Sequence, residues 1–158
     1  MNVAQHCKHD VLSVTPSTAL TDAAHLMREH SLGFLVVVEE RDGRRFPVGV
    51  LTDRDIVVRV IGAAVDPQTL LVKDIMSSQP IIAHEHDDFV ELVRGMRTAG
   101  IRRMPVVDHT GALVGIVALD DVLKVMGEML DDLCVAIRTE QRFEQHRRRV
   151  TASGNPSC

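Results

Sequence analysis

The chain has 158 residues, a formal net charge of −4 and four Phe, with no Trp or Tyr. This length suits one domain, or two very small ones that share a core. Proteins that hold single-stranded nucleic acid by base stacking need aromatic platforms, and non-specific DNA binding needs a basic surface. The composition therefore argues against a nucleic-acid partner.

The N-terminus, the apolar runs and the cysteines indicate the compartment. Residues 1–10 lack the basic and then apolar pattern of a secretory signal. The longest apolar run, residues 32–38, has the length of a strand and not of a membrane span. Cys7, Cys134 and Cys158 are too few and too scattered for a disulfide framework. We therefore expect a cytoplasmic protein without a membrane segment, in which Cys158 is an exposed free thiol.

An internal repeat organises the chain. Residues 18–38 align with residues 87–107 without a gap, and the alignment resumes at Gly49 and Gly115 after a short insertion in the first repeat. Each unit has the pattern β-α-β-β-α and about 50 residues, which is too few for a core of its own. We therefore predict an α/β fold in which two pseudo-symmetric β-α-β-β-α repeats pack as one module.

The predicted elements follow in chain order. In the first repeat they are a strand at 11–14, a helix at 18–29, strands at 33–38 and 48–51, and a helix at 53–61. In the second repeat they are a strand at 81–82, a helix at 87–98, strands at 103–107 and 113–117, and a helix at 120–126. Asp42-Gly43 and Thr110-Gly111 indicate hairpin turns between the paired strands. These assignments place the first repeat at residues 5–62 and the second at residues 72–127.

The residues after Gly127 have a different pattern. Apolar residues at helical spacing are followed by a charged run that ends in Arg147–Arg149, which predicts an amphipathic helix over residues 128–150. Its apolar stripe needs a partner, which is its own module, its copy in a homodimer, or a different effector protein. Residues 151–158 are expected to be disordered.

The segment Gly49-Val-Leu-Thr-Asp-Arg-Asp55 carries the most chemical information. A strand ends and a helix begins at Thr52, so the Thr52 hydroxyl and the Asp55 carboxylate lie on one side of the first turn. One interpretation is structural: these two residues form a capping box, and Gly49 permits close strand packing. The other is functional. In it, Asp55 accepts hydrogen bonds from the hydroxyls of a ribose, Thr52 adds a hydrogen bond that orients the ribose, and Gly49 leaves room for a flat ligand.

Nearby basic residues extend the functional interpretation. Arg54, or the pair Arg102-Arg103 before a strand of the second repeat, is placed to reach a phosphate. Without Trp or Tyr, an adenine ring has to be held by aliphatic side chains. The sequence contains no phosphate-binding loop and no nucleophile elbow, so we expect a binding protein with no catalytic residues and not an enzyme.

The duplicated unit, the segment from Gly49 to Asp55 and the segment Ile101-Arg-Arg-Met-Pro105-Val-Val-Asp108 resemble a tandem CBS domain pair, or Bateman module, over about residues 5–127. The resemblance implies a regulatory homodimer whose inter-repeat cleft binds an adenosyl compound such as AMP, ADP, ATP or S-adenosylmethionine. It also implies that Thr52 and Asp55 hold the ribose. The candidate ligand-binding residues are Val14, Val36, Gly49, Thr52, Arg54, Asp55, Arg102, Arg103 and Pro105.

A second, weaker site is expected in the second repeat. The matching segment there runs from Gly115 to Asp121, so the acidic residue is retained. Ala118 replaces the hydroxyl-bearing residue, which removes one hydrogen bond to a ribose. We therefore expect Gly115 and Asp121 to form a site that is weak, altered in specificity or empty.

Two histidine clusters leave a metal-binding alternative. They are His6-Cys7-x-His9-Asp10 and His84-x-His86-Asp87-Asp88, whose side chains are ligand types for zinc or nickel. Neither has the spacing of a standard zinc module, and an Asp before a helix is explained as an N-cap. We therefore expect no metal site and no obligatory cofactor.

Two alternatives to a nucleotide-binding regulator remain for the function of the chain. They are a non-sensing homodimeric scaffold and a small metal-binding stress protein.

Overall fold

The structure is a computed structural model that describes residues 3–152, except for the side chains of residues 146 and 148–152. The chain forms two compact units that divide between Leu119 and Asp120. The first unit contains the first repeat and the second repeat up to Leu119, and the second unit consists of the last helix from Asp120 onward. Most of the expected C-terminal tail, including Cys158, lies outside the described residues.

The first repeat follows a short 3₁₀ helix at Val3–Gln5. Its elements are β1 (Ser13–Val14), α1 (Leu20–Glu29), β2 (Phe34–Arg41), β3 (Arg44–Thr52) and α2 (Asp53–Ile56), which continues as a π-helical turn at Val57–Ile61. A 3₁₀ turn at Pro67–Thr69 then leads to the second repeat. Its elements are α3 (Val72–Ile75), β4 (Ser77–Ser78), β5 (Ala83–His84), α4 (Phe89–Ala99), β6 (Arg103–Val107), β7 (Leu113–Ala118) and α5 (Leu119–Ala152).

The sheet topology confirms the predicted duplication. In the first repeat β1 pairs in parallel with β2, which pairs antiparallel with β3. In the second repeat β5 pairs in parallel with β6, which pairs antiparallel with β7. The two sheets are separate, with strand orders β1-β2-β3-β4 and β5-β6-β7. The α/β fold with two pseudo-symmetric repeats is therefore observed.

Several predicted boundaries are wrong for local reasons. Helix α1 begins at Leu20 and not at Thr18, because the Thr18 hydroxyl closes the preceding turn by accepting a hydrogen bond from the Thr15 N–H at 3.1 Å. The helix predicted from residue 87 begins at Phe89, and Asp88 occupies the N-cap position, although its side chain makes no capping bond. The predicted break near Gly127 is absent, since α5 is one continuous helix of 34 residues.

The leading segment of each repeat completes the sheet of the other repeat. Lys8 exchanges two backbone hydrogen bonds with Ile116 of β7, at 2.8 and 2.9 Å. In the same way β4 pairs antiparallel with β3, and the Val72 N–H donates to the Thr18 carbonyl at 2.9 Å. The sequence alignment did not include these segments. This reciprocal exchange links the two repeats through backbone bonds.

Strand β2 has a fully apolar centre because both of its faces are covered. Alternate residues of a strand point to opposite faces. Leu35 and Val37 belong to the core of the first repeat, whereas Val36 and Val38 pack with Leu113 of the second repeat. The continuous apolar run is typical of a strand buried on two sides.

Candidate ligand-binding site

A cavity of about 700 Å³ lies between the two repeats, within the first unit. This volume is in the range of small-molecule sites, about 300–1,000 Å³. The cavity is lined by three groups of residues, which come from four stretches of chain. These are Gly33, Phe34, Val50, Thr52, Asp53, Arg54 and Asp55 of the first repeat, the connecting residues Ser77, Gln79, Pro80 and Ile81, and Gly100, Ile101, Arg102, Arg103 and Pro105 of the second repeat.

Thr52 and Asp55 form a capping box at the edge of this cavity. Thr52 is the N-cap of α2, and its hydroxyl oxygen accepts from the Asp55 N–H at 3.1 Å. Asp55 Oδ2 in turn accepts from the Thr52 N–H at 2.9 Å and from the Thr52 hydroxyl at 2.6 Å. The structural interpretation of the spacing is therefore correct.

The capping box does not exclude a ligand. Within the described residues, both side-chain bonds that Asp55 accepts fall on Oδ2. These bonds fix the orientation of the carboxylate while Oδ1 keeps its acceptor capacity. The same two residues are therefore able to cap α2 and to present a carboxylate oxygen to the cavity.

Asp53 and Gly33 form a close contact that the sequence did not indicate. The Asp53 N–H donates to the Gly33 carbonyl at 3.1 Å. A Cβ at Gly33 would lie 2.5 Å from Asp53 Oδ2, so any larger residue there would force the Asp53 side chain to move. Asp53 Oδ1 also accepts from the Arg54 N–H at 2.7 Å. Asp53 therefore adds a second negative charge to the cavity lining.

Three arginines line the same cavity. Arg54 comes from the first turn of α2, Arg102 from the end of the α4–β6 connection, and Arg103 from the first position of β6. In the part of the chain that the structure describes, none of these guanidinium groups has an ion pair or a side-chain hydrogen bond. Guanidinium groups bind phosphate through paired N–H donors. The cavity thus combines hydrogen-bond acceptors suited to ribose hydroxyls with hydrogen-bond donors suited to phosphate oxygens.

Three of the residues expected at the site do not line the cavity. Val14 and Val36 are buried in the hydrophobic cores, because β1 and β2 are covered by neighbouring elements. A Cβ at Gly49 would lie 2.8 Å from Met76 Sδ and 3.0 Å from the Ser77 carbonyl oxygen. Gly49 therefore permits the close approach of β4 to β3 and makes no opening for a ligand.

The residues expected at a second site are placed differently. Gly115 is the counterpart of Gly49, because its Cβ would lie 2.6 Å from Cys7 Sγ and 3.0 Å from the Lys8 carbonyl oxygen. Ala118 is the last residue of β7. Asp121 lies in the first turn of α5, which belongs to the second unit. Gly115 thus has a packing role, in the same way as Gly49.

The connecting residues of the cavity were not predicted. Ser77, Gln79, Pro80 and Ile81 reach the site because β4 pairs with β3 of the other repeat. Gln79 has a positive φ of 55°, which turns the chain into the cavity wall just before Pro80. The Gln79-Pro80 pair is a turn signal, but its place in the lining of the same cavity as Asp55 follows only from the long-range strand pairing.

Among residues 3–152, no group of three or more His, Cys, Asp or Glu residues is placed to hold a metal ion. Cys7 Sγ and His9 Nδ1 lie 4.0 Å apart, and His9 Nδ1 is 2.9 Å from the Val114 carbonyl. The His6 ring packs against Phe89 with a centroid distance of 5.4 Å. Burial raises the pKa of the Cys7 thiol, which disfavours the thiolate that metals bind.

The fold and the cavity define a class of protein, a two-repeat α/β module with a ligand-sized cleft between its repeats. The family model of the CBS domain matches residues 3–62 and 72–128. The chain therefore belongs to the CBS domain family and contains a tandem pair. Among residues 3–152, no helix combines the length and the apolar character of a membrane span.

Known proteins resemble the chain in sequence and in structure. The uncharacterized protein MK0525 of Methanopyrus kandleri is 40% identical over 126 residues, which are 79% of this chain and 62% of that protein. Hypoxic Response Protein I, solved with two coordinated zinc ions, is 31% identical with a TM-score of 0.68, and the match covers 78% of this chain and 98% of that one. CBSX2, solved in complex with AMP, is 25% identical with a TM-score of 0.68, and the match covers 81% and 97%.

Proposed function

We propose that the chain is a regulatory protein that binds a phosphate-bearing adenine nucleotide in the cavity between its repeats. The observation that carries this proposal is the convergence of Asp55 with Arg54, Arg102 and Arg103 on one cavity. The complex of the similar protein CBSX2 with AMP supports the same ligand class.

Each part of the nucleotide has a matching part of the cavity. Asp55 Oδ1 and the Thr52 hydroxyl are suited to the ribose, since a carboxylate accepts hydrogen bonds from ribose hydroxyls. Val50, Ile81 and Ile101 supply apolar surface for the adenine ring. The three arginines supply donors for phosphate oxygens.

The charge of the lining favours AMP, ADP or ATP over S-adenosylmethionine. Three arginines against Asp53 and Asp55 leave an excess of positive charge around the cavity. This excess attracts a phosphate and repels the sulfonium and ammonium groups of S-adenosylmethionine. We therefore rank the phosphorylated adenosines first.

The nucleotide acts as a signal in this proposal. A ligand that contacts both repeats stabilises the arrangement in which both sets of contacts are made, and so shifts the population of conformations. A partner protein or a second copy of the chain then responds to the favoured arrangement. The protein acts as a sensor without chemical conversion of the ligand.

Calorimetric titration with AMP, ADP, ATP, S-adenosylmethionine and GTP tests the proposal. The Asp55→Asn substitution is expected to weaken AMP binding at least tenfold, because a hydrogen bond to a charged group contributes about 1.5–3 kcal/mol. The matched control is Asp74→Asn. Asp74 Oδ2 accepts from the Leu71 N–H at 2.9 Å at the start of α3, but Asp74 lies outside the cavity lining.

The two variants separate the possible outcomes. Weaker binding in the Asp55 variant alone supports the ribose assignment, whereas equal binding in both variants and the wild type contradicts it. If none of the five compounds binds, the proposal is wrong, and the non-sensing homodimeric scaffold is the alternative to test next.

A further inference from the structure

Asp53 is a carboxylate of the cavity lining that has no part in the proposed function. Its side chain is exposed, and it is the first residue of α2. Its Oδ1 accepts from the Arg54 N–H at 2.7 Å, and its Oδ2 would lie 2.5 Å from a Cβ at Gly33, so the carboxylate rests against this glycine. Among the described residues, no cationic side chain forms an ion pair with Asp53. The cavity wall therefore carries a fixed negative charge that is not neutralised by a neighbour.

The fold does not require a negative charge at this position. The alignment of the repeats matches Asp53 with Leu119 and Gly33 with Arg102. The Asp53 N–H donates to the Gly33 carbonyl at 3.1 Å. In the same way, the Leu119 N–H donates to the Arg102 carbonyl at 2.8 Å, and each donor is the first residue of a helix. Because a leucine meets the same structural requirement, the charge of Asp53 needs another explanation.

The charge of Asp53 reduces the attraction of the cavity for phosphate. The lining contains three arginines and two aspartates, so its formal charge is +1. An uncharged residue in place of Asp53 would raise this positive charge. AMP carries about two negative charges near neutral pH, and each further phosphate adds about one more. Asp53 therefore opposes every phosphate in the cavity and opposes the longer chains most, since Coulomb repulsion grows with the charge of the ligand.

The position of Asp53 directs this repulsion at the phosphate end of the nucleotide. In the proposed function Asp55 holds the ribose and Arg54 binds phosphate. Asp53 directly precedes Arg54 and is bonded to its N–H, so a phosphate held by Arg54 has this carboxylate as a near neighbour. Within the described part of the chain, the lining supplies no lysine or arginine beyond Arg54, Arg102 and Arg103 to balance a second or third phosphate.

We propose that Asp53 is a specificity-determining residue, which makes the cavity prefer adenosine monophosphate to the di- and triphosphate. This inference rests on the proposed function and narrows it from adenine nucleotides in general to the monophosphate. Asp53 acts through its charge, which weakens the binding of a long phosphate chain more than that of a short one. The nucleoside part of the ligand carries no charge and is not affected.

Calorimetric titration of the full chain with adenosine, AMP, ADP and ATP tests the role of Asp53. The titrations contain EDTA and no magnesium, because Mg²⁺ neutralises part of the charge of ATP. The wild type is expected to bind AMP more tightly than ATP. In Asp53→Asn, the ratio of AMP affinity to ATP affinity is expected to fall about fivefold or more, because the additional charges of ATP lose the repulsion. The affinity for adenosine is expected to stay within about twofold, since adenosine is uncharged.

Two further variants separate the charge of Asp53 from its shape. Asp53→Glu keeps the charge and is expected to keep the preference for AMP. Asp22→Asn removes a charge from the first turn of α1, outside the cavity lining, and is expected to leave the ratio unchanged. The titrations are repeated at about 0.01 M and about 0.1 M ionic strength, where the Debye length is about 30 Å and about 10 Å. The difference between the wild type and Asp53→Asn is expected to shrink at the higher ionic strength, which a change of shape alone would not produce.

The outcomes distinguish this inference from the proposed function. If the wild type binds AMP but the ratio is unchanged in Asp53→Asn, or changes equally in Asp22→Asn, the inference is overturned and the proposed function stands. A wild type that prefers ATP to AMP, or a loss of AMP binding in Asp53→Asn, also overturns the inference alone. If the wild type binds none of the nucleotides, the inference and the proposed function are both overturned.

Discussion

The carboxylate of Asp108, in the turn between β6 and β7, is paired with the guanidinium of Arg44 in the hairpin between β2 and β3. Arg44 Nη1 also donates to the Thr110 hydroxyl at 2.8 Å. Asp108 is only 8% exposed, and it is the buried charged residue of the described chain. This ion pair links the two repeats through side chains, in addition to the backbone hydrogen bonds that the leading segments make with the opposite repeat.

Asp108 makes stability depend on acid pH. Hydrogen bonds from the Thr110 hydroxyl, and from the Thr110 and Ala112 N–H groups, together with Arg44, hold the pKa of the Asp108 carboxyl well below its usual range. The folded state therefore favours the carboxylate, and the resulting stability is fully present above the unfolded pKa of about 3.9. It is lost as the pH falls below that value toward the lowered pKa.

Urea unfolding of the wild type and of Asp108→Asn measures this contribution. The wild type is expected to be the more stable of the two at pH 7, and the difference is expected to shrink at pH 3, where Asp108 of the unfolded chain takes up a proton while the folded carboxylate stays ionised. Asp22→Asn is the control, because Asp22 is an acidic residue in the first turn of α1 without a comparable set of bonds. A difference that is the same at both pH values contradicts the assignment.

Arg102 and Arg103 are expected to contribute to the binding of the phosphate group and not of the nucleoside. In the proposed function they contact phosphate oxygens, and adenosine has none. Arg102→Met and Arg103→Met are therefore each expected to weaken AMP binding about tenfold or more while adenosine binding stays within about twofold, since hydrogen bonds between charged groups contribute about 1.5–3 kcal/mol.

Calorimetry with AMP and adenosine on each variant checks this expectation. Arg97→Met is the control, because Arg97 lies in the last turn of α4 and outside the cavity lining. Equal losses for AMP and adenosine would mean that the arginines shape the cavity and do not bind the phosphate.

The relationship between Thr52 and Asp55 was predictable because it is local. A spacing of three residues at a helix start places the two side chains together whatever the rest of the chain does. The duplicated β-α-β-β-α order was likewise predictable, because the period of the apolar residues differs between helices and strands. Both features depend on neighbours within a few residues.

The remaining cavity residues were not predictable in this way. Gln79 and Pro80 reach the site through the pairing of β4 with a strand from the other repeat, and that pairing has no local signal. Val36 and Pro105 are matched positions in the repeat, yet Val36 is buried against Leu113 while Pro105 lines the cavity. Pseudo-symmetry in sequence thus does not fix which of two matched positions lines the cavity.

A substitution at Gly49 tests whether this residue has a packing role or the ligand-binding role that its motif suggested. In Gly49→Ala, the new methyl group would meet Met76 Sδ and the Ser77 carbonyl oxygen at 2.8 and 3.0 Å. Overpacking of this kind costs about 1–3 kcal/mol, so the melting temperature is expected to fall. The affinity of the folded variant for AMP is expected to stay within about twofold. Thermal unfolding and calorimetry below the transition measure the two effects. Weaker AMP binding without a loss of stability would contradict the packing role and would indicate that Gly49 belongs to the ligand-binding site.

The reciprocal exchange of leading segments makes each repeat depend on the other. Val3 and Val72 are both fully buried, and each anchors a segment whose backbone bonds cross to the other repeat. Val72→Ala is expected to destabilise the chain by about 2 kcal/mol, because it removes two buried methyl groups and leaves a cavity. Val3→Ala is expected to have a similar effect.

Hydrogen exchange locates this effect. Because the Val3 segment bonds to the second repeat, Val3→Ala should raise amide exchange at Ile116 and along β7 before it does so in β3. Val72→Ala should do the reverse, since the Val72 segment bonds to Thr18 and β3. The control is Val90→Ala, which changes an exposed residue of α4. If each substitution loosens only the repeat that follows it in sequence, the exchanged segments do not contribute to the stability of the opposite sheet.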